Sequence, residues 1–158
     1  MEIIQFFSIV GTVAFSIQGG LIAIKNKYDL FAVYLFGMIT AFGGALRHIV
    51  IVESTHDLFY ISVISITLTI VFPNFFERSE IWWMDVLDGV GVIAFAIQGS
   101  ISALNMDLPA SAVVVAALIT GTGGGLFRDL LSQRKPILLG ETIYSLWIFL
   151  IGLIIGMR

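Results

Sequence analysis

Long hydrophobic segments separated by short polar turns account for almost the whole chain. The apolar runs are continuous and do not alternate at every second residue, which favours membrane-spanning helices over the strands of a barrel. A helix that crosses a bilayer needs about 20 mostly apolar residues, so the chain has room for about six spans. The pattern predicts helices over residues 3–24, 30–52, 58–72, 86–104, 110–131 and 143–156.

Composition supports a membrane protein. Hydrophobic residues make up 58% of the 158 positions and charged residues 12%, and the mean hydropathy is +1.02. A soluble domain carries about 25% charged residues, because its surface faces water. The absence of cysteine excludes disulfides, thiolate metal sites and a cysteine nucleophile. No basic tract favours nucleic-acid binding. The apolar composition predicts membrane lipid as the surroundings of this chain.

The basic residues indicate how the helices cross the membrane, because cytoplasmic loops carry an excess of Lys and Arg. Most of them fall on the face where predicted helix one ends, so we expect the N-terminus outside. The first segment has no basic start and no cleavage site, which predicts a retained helix. Trp82 and Trp83 are expected to anchor the chain at the interface just before helix four. The cytoplasmic face carries Lys25, Lys27, Arg78, Arg134 and Lys135, with Arg128 near it, against Arg158 and Arg47 opposite.

The chain contains an internal repeat. Residues 13–20 (VAFSIQGG) return as residues 93–100 (IAFAIQGS), at an offset of 80. The same offset pairs Thr40 with Thr120 and residues 43–44 with 123–124, whereas a shift by one residue pairs Arg47 with Arg128. The sequence leaves the register open in this part, but both versions indicate a duplication.

The repeated unit is predicted to have three helices, within a single transmembrane domain over residues 1–158. Repeat one covers about residues 3–72 and repeat two about 82–156. Three is an odd number, so the second copy enters the membrane from the opposite side and the repeats are inverted. Such folds commonly place a transport pathway at the repeat interface. The alternative is a duplication that only produced a stable bundle.

Glycines interrupt predicted helices two and five. Glycine weakens a helix by about 1 kcal/mol relative to alanine, although it also allows close helix packing in membranes. Three glycines in a row point in different directions around the helix, so we predict a kink or local opening in helix five and a weaker one in helix two. Freed carbonyls and threonine hydroxyls at these breaks would line a polar path. These residues are Gly43, Gly44, Gly123, Gly124, Gly125, Thr40, Thr120 and Thr122.

Charged residues within the predicted spans are candidates for gating or charge pairing. Arg128 and Arg47 each follow the glycines; a charge at the bilayer centre costs about 2.5–3.5 kcal/mol on insertion scales, so it must face protein or water. Arg128, with Asp129 beside it, is close enough to the helix end to extend to the interface instead. Asp88 is expected to cap the start of helix four, with pairing to an arginine as the alternative.

The remaining polar residues suggest helix contacts and no enzyme. Gln18 and Gln98 are predicted to form hydrogen bonds between helices. His48 and His56 have no third ligand beside them, so no metal site is predicted. No nucleophile with a positioned base and no phosphate-binding loop is recognisable, and no cofactor is expected.

These motifs resemble a known family. The two Phe-Ser/Ala-Ile-Gln-Gly segments, the stretch GGGLFRD at 123–129 and the duplicated three-helix layout are similar to bacterial members of the trimeric intracellular cation channel (TRIC) family. The bacterial branch is also catalogued as a glycine transporter domain family. The first-half motif departs from the pattern, because His48 stands where Asp or Asn is expected. The family also has a seventh helix after the repeated six, and none follows here.

The resemblance implies a homotrimer in a bacterial or archaeal plasma membrane, with one pore for monovalent cations such as potassium in each protomer. It also implies kinks at the glycine motifs and a functional role for Arg128, Arg47 and Asp88. The residues alone reach only an inverted-repeat transport protein. The alternatives are a secondary transporter for a small zwitterion such as glycine and a structural membrane protein.

Overall fold

The computed structural model describes residues 2–43, 55–72, 80–133, 136 and 142–157. Within these residues the chain is all-helical, as predicted, with six helices and no strand. We number them α1 to α6 in chain order. They span Glu2–Lys25, Leu30–Gly43, Thr55–Val71, Glu80–Leu104, Ala110–Leu131 and Thr142–Gly156.

The predicted bounds of α1, α5 and α6 agree with the structure to within one residue, but α3 and α4 begin earlier than predicted. α4 begins at Glu80, so Trp82 and Trp83 lie inside the helix, and the prediction that they precede it is wrong. Hydropathy detects only the apolar part of a helix and overlooks a polar first turn. The second half of predicted helix two, residues 44–52, lies outside the described residues.

Three of these helices are long and apolar enough to cross a membrane. They are α1, the Trp82–Leu104 part of α4, and α5. The other described helices contain shorter apolar segments, at Leu30–Gly43, His56–Val71 and Ser145–Gly156. This distribution agrees with the membrane protein that composition indicates.

The two halves of the chain pack in the same way. α1 packs against α2 and α3, and α4 packs against α5 and α6, while the α1–α4 and α2–α5 contacts join the halves. The turn after α1 and the turn after α4 both contain a residue with positive φ, Lys27 at 57° and Asp107 at 52°. Both turns close with the two hydrogen bonds of a Schellman motif. The same local geometry thus recurs at an offset of 80.

Close contacts within each half fix the register at the same offset. A Cβ atom added to Gly19 would lie 2.6 Å from Thr40 Oγ1, and one added to Gly99 would lie 2.7 Å from Thr120 Oγ1. Both glycines therefore allow the first and second helices of their half to touch. This pairing supports the offset of 80 as far as Thr40 and Thr120, and the Arg47 part of the motif lies outside the described residues.

The α1–α4 contact shows that the repeats are inverted. A Cβ added to Gly11 would meet the Phe95 ring at 2.9 Å, and one added to Gly91 would meet the Phe15 ring. The later residue of α1 thus faces the earlier residue of α4, so the two helices run antiparallel. The two phenylalanine rings touch at a centroid distance of 5.3 Å. This contact lies on the pseudo-two-fold axis that relates the halves.

Candidate functional site

Four polar residues from both repeats meet inside the helix bundle. Gln18 comes from α1, Asp88 from α4, and Arg128 and Asp129 from the last turns of α5. All four are buried, with at most 4% of each residue exposed. Intramembrane charges are rare and mark functional sites by default, so this polar cluster is the candidate site.

Arg128 is the centre of the polar cluster. Its Nη1 donates a hydrogen bond to Asp88 Oδ1 at 2.6 Å, and its Nε donates to Asp129 Oδ1 at 2.8 Å. The Nη2 atom lies 2.7 Å from the same oxygen of Asp129. Charge-assisted bonds of this kind are about twice as strong as neutral ones. The guanidinium therefore joins α4 to α5.

Gln18 connects the polar cluster to repeat one. Its side-chain Nε2 donates to Asp88 Oδ1 at 3.0 Å and to the carbonyl oxygen of Met84 at 2.9 Å. Two acceptors on one amide group identify the nitrogen, since the amide oxygen cannot donate. Gln18 therefore makes the interhelical hydrogen bond predicted for it, and that bond crosses from one repeat to the other.

The structure corrects two sequence-based interpretations. Asp88 does not cap α4, because the helix begins eight residues earlier, at Glu80, and Asp88 faces inward as a partner of Arg128. Arg128 does not extend to the membrane interface, since its side chain is 2% exposed. Burial of the guanidinium is possible because both Asp88 and Asp129 lie against it and accept its hydrogen bonds.

Gln98 is the repeat counterpart of Gln18 but joins no such cluster within the part of the chain that the structure describes. It is 8% exposed, and its Oε1 has no hydrogen-bond partner among the described residues. At the offset of 80, the counterpart of Asp88 is Ser8, a neutral residue whose hydroxyl donates to the Ile4 carbonyl. The predicted interhelical bond of Gln98 is not found among the described residues, and at the position related to Asp88 a neutral residue stands in place of a carboxylate.

Gly124 of α5 serves close packing in this structure. A Cβ on Gly124 would clash with the Thr40 carbonyl and lie 2.8 Å from the Phe15 ring, and one on Gly43 would lie 3.1 Å from Gly124 Cα. α5 is helical throughout Ala110–Leu131, so the predicted local opening is absent there. The contacts with α1 and α2 require the small residues and leave the helix intact. A bend of the helix axis, and a role of Gly125 in it, stay predictions.

Several predicted pore residues line one open groove of about 700 Å³ along α5. Thr40 does not line the groove: it is fully buried and donates its hydroxyl to the Phe36 carbonyl, as Thr122 does to that of Leu118. Each hydroxyl hydrogen is therefore used in a hydrogen bond to a carbonyl oxygen of its own helix. Most of the groove lining is apolar, and the predicted pore residues within it are Gly43, Thr120, Thr122 and Gly123.

Other candidates lie apart from the polar cluster or outside the described residues. Gly44, Arg47 and His48 are among the residues that the structure does not describe. His56 is exposed at the start of α3. Among the described residues no group of three or more His, Cys, Asp or Glu could hold a metal ion.

Sequence reasoning overlooked Phe15 and Phe95, which separate the polar cluster from Gln98. Hydropathy cannot distinguish them from any other apolar residue of a span. The available signal was their recurrence at the same place in both copies, each four residues after a glycine.

Comparison with known proteins places the chain in a family. The family model described as glycine transporter matches residues 5–74 and 85–157. The UPF0126 membrane protein YvgT of Bacillus subtilis is 41% identical, over 97% of this chain and 79% of that protein. The UPF0126 inner membrane protein YadS of Escherichia coli K12 is 35% identical, over 90% of this chain and 72% of that protein. The chain belongs to the glycine transporter family. It is therefore a bacterial membrane protein.

Solved structures support the resemblance of this glycine transporter family member to TRIC channels. A prokaryotic TRIC channel crystallised in 0.5 M KCl superposes with a TM-score of 0.89 at 29% identity, over 99% of this chain and 83% of that one. The TRIC orthologue from Rhodobacter sphaeroides shares the fold, with a TM-score of 0.86 at 23% identity, over 97% and 82% of the two chains. The resemblance inferred from the glycine motif and the repeat is confirmed.

Neighbouring glycines of this family member provide a matched test of close packing. We expect Gly124→Ala to lower the free energy of unfolding by about 1–3 kcal/mol, because the new methyl group overpacks the contact with Thr40 and Phe15. Gly125→Ala is the control, since its Cβ would lie 3.7 Å from Asp88 Oδ1, an ordinary contact. It should leave stability unchanged or raise it by up to about 1 kcal/mol through helix propensity. Thermal unfolding in one detergent measures both, and equal effects would contradict the packing role.

Proposed function

We propose that the chain is a passive channel for monovalent cations, potassium among them, with the pathway at the interface of its inverted repeats. The observation that carries the proposal is the close likeness to a prokaryotic TRIC channel, at a TM-score of 0.89 over 99% of the chain. Channel-like and membrane-protein relatives favour a role other than catalysis.

The buried polar cluster supports this position for the pathway. It lies where α1, α4 and α5 meet, and its members come from both repeats. In inverted-repeat transport proteins the ion sites lie at this kind of interface. The Arg128–Asp88 pair would act as a charge gate: while it is closed, the guanidinium holds α4 against α5. Arg47, as the first-half counterpart, is proposed for a similar role.

Phe15 and Phe95 supply the barrier in the proposed pathway. Both rings are at most 2% exposed, and they meet on the pseudo-two-fold axis between the polar cluster and Gln98. A constriction lined by apolar side chains excludes water and stops ions. We therefore assign the present arrangement to a closed channel. Opening would separate the two rings.

We propose further that the protein is a homotrimer in the plasma membrane with its N-terminus outside. The trimer is suggested by the name of the Rhodobacter sphaeroides structure, a trimeric intracellular cation channel orthologue. The orientation rests on the excess of basic residues at the end of α1 and in the loops on the same face. Membrane lipid surrounds the assembly, and the trimer interface excludes it.

The decisive experiment records current across a planar bilayer that contains the purified full-length protein, under a potassium chloride gradient and without glycine. Unitary steps with a reversal potential near that of potassium are expected. The second candidate is a glycine carrier, which the description of the matching family favours. A silent bilayer together with saturable uptake of labelled glycine into proteoliposomes would favour the carrier and contradict the channel.

A further inference from the structure

Two buried amide oxygens without partners occupy equivalent places in the two repeats. Gln18 Oε1 and Gln98 Oε1 are both buried and have no hydrogen-bond partner among the described residues. Gln18 and Gln98 are separated by the repeat offset of 80, and their side chains are at least nine-tenths buried. Leaving a buried acceptor unsatisfied costs free energy. Its occurrence in both copies calls for a common cause.

The orientation of the Gln18 amide group is fixed, so its oxygen cannot be exchanged with the nitrogen. Nε2 donates to both the Met84 carbonyl and Asp88 Oδ1, and a flipped amide would place its oxygen, which cannot donate, against these two acceptors. The unpartnered atom is therefore a carbonyl oxygen beside a carboxylate. Such an oxygen accepts only a proton donor or a cation.

The two oxygens lie on opposite sides of the phenylalanine barrier. Gln18 follows Phe15 by three residues and Gln98 follows Phe95 by three, on helices that run antiparallel. At a rise of 1.5 Å per residue, the two glutamines are about 15 Å apart along the helix axes. One oxygen is thus available on each side of the point at which the closed channel is blocked.

We propose that Gln18 Oε1 and Gln98 Oε1 are two successive ligands for a permeating monovalent cation, one on each side of the Phe15–Phe95 contact. In a selectivity filter, carbonyl oxygens replace part of the hydration shell of the ion. Conduction needs several successive sites that each bind the ion weakly enough to release it. This inference rests on the proposed cation channel. The Gln18 site adjoins Asp88, whereas the Gln98 site has Ser8 at the position related to Asp88. The Gln98 site therefore binds the cation through the amide oxygen, without a carboxylate at that position.

The test uses Gln98, because Gln18 also positions Asp88. Unitary conductance of the full-length protein is measured in planar bilayers over a series of symmetric potassium chloride concentrations. Gln98→Met removes the oxygen at similar volume and should raise the half-saturating concentration roughly tenfold, equal to about 1.4 kcal/mol. Gln98→Glu adds a negative charge to the ligand and should lower it by a similar factor. Gln133→Met makes the same change at an exposed residue after α5 and should have no effect.

Opposite shifts for Gln98→Met and Gln98→Glu are the expected result, since a purely structural glutamine would not change sign with ligand charge. A conducting wild type whose half-saturating concentration is unchanged in both variants, or shifts in the same direction in both, overturns the inference alone. Such a result is also expected if Gln98 Oε1 binds only a water molecule and no cation. A wild type without cation current overturns the proposed function and this inference together. If Gln98→Met does not fold, Gln98→Asn withdraws the oxygen by one methylene and should shift the value in the same direction.

Discussion

Arg128→Met is expected to lower the free energy of unfolding by about 3–5 kcal/mol, because it leaves two carboxylates in the bundle without the guanidinium that joins them. Asp88 and Asp129 are each at most 4% exposed, so neither can regain the hydration it lost on folding. Arg128→Lys should lose less, since it keeps the charge but cannot reach both carboxylates through separate nitrogens. Thermal unfolding in detergent compares these variants with the wild type.

Two further variants separate the ion pair from the general loss of a cation. Lys27→Met removes an exposed charge in the turn after α1 and should change stability by no more than about 0.5 kcal/mol. Adding Asp88→Asn to Arg128→Met should recover part of the loss, because the double variant buries one carboxylate charge fewer without the guanidinium. An Arg128→Met variant as stable as Lys27→Met would show that the buried ion pair does not stabilise the fold.

Phe15→Ala should produce a leaky channel. Shortening this side chain removes one half of the ring contact on the pseudo-two-fold axis, and water can then enter the constriction. We expect the ratio of open to closed channels at rest to rise about tenfold, which needs only about 1.4 kcal/mol of destabilisation of the closed state. Phe95→Ala, the repeat counterpart, should act in the same direction. Single-channel recording in symmetric potassium chloride measures the open probability of each variant.

The matched control for the barrier is Phe36→Ala. Phe36 is also buried, but it belongs to a separate cluster with Ile22, Val33 and Ile66 away from the axis. Both changes should lower the free energy of unfolding by about 3–5 kcal/mol, since each leaves a cavity in the core. Only Phe15→Ala should open the channel. Equal open probabilities in the two variants would place the barrier elsewhere.

The sequence predicted elements and repeat well, because both depend on local or self-similar patterns. Hydropathy and turn residues gave α5 the bounds Ala110–Leu131 that the structure shows. The offset of 80 between residues 13–20 and 93–100 was visible as identity, and the Gly19–Thr40 and Gly99–Thr120 contacts follow it. An odd number of helices then required the inversion that the α1–α4 contact shows.

The candidate site was predicted only in parts, because its geometry depends on packing between distant segments. Gln18, Asp88 and Arg128 were each selected as polar residues within spans, but no local signal joins positions 70 and 40 residues apart. The pattern predicts Asp88 as a cap because hydropathy overlooks the polar first turn of α4, which begins at Glu80. The glycine run predicts a kink or a local opening in α5; close approach of Thr40 and Phe15 to Gly124 explains that small residue without any opening, and the kink stays a prediction.

The antiparallel α1–α4 contact explains how Asp88 in one repeat and Ser8 in the other can occupy related positions. The Gly11–Phe95 and Gly91–Phe15 contacts are images of each other, as in the isologous interface of a two-fold dimer. A single unit inserted in both membrane orientations could form this interface with itself, and every substitution would then appear at both ends. Fusion of the two units in one chain removes that constraint. Asp88 can then face Gln18 at one end while Ser8 occupies the related position at the other, which gives a symmetric scaffold a direction across the membrane.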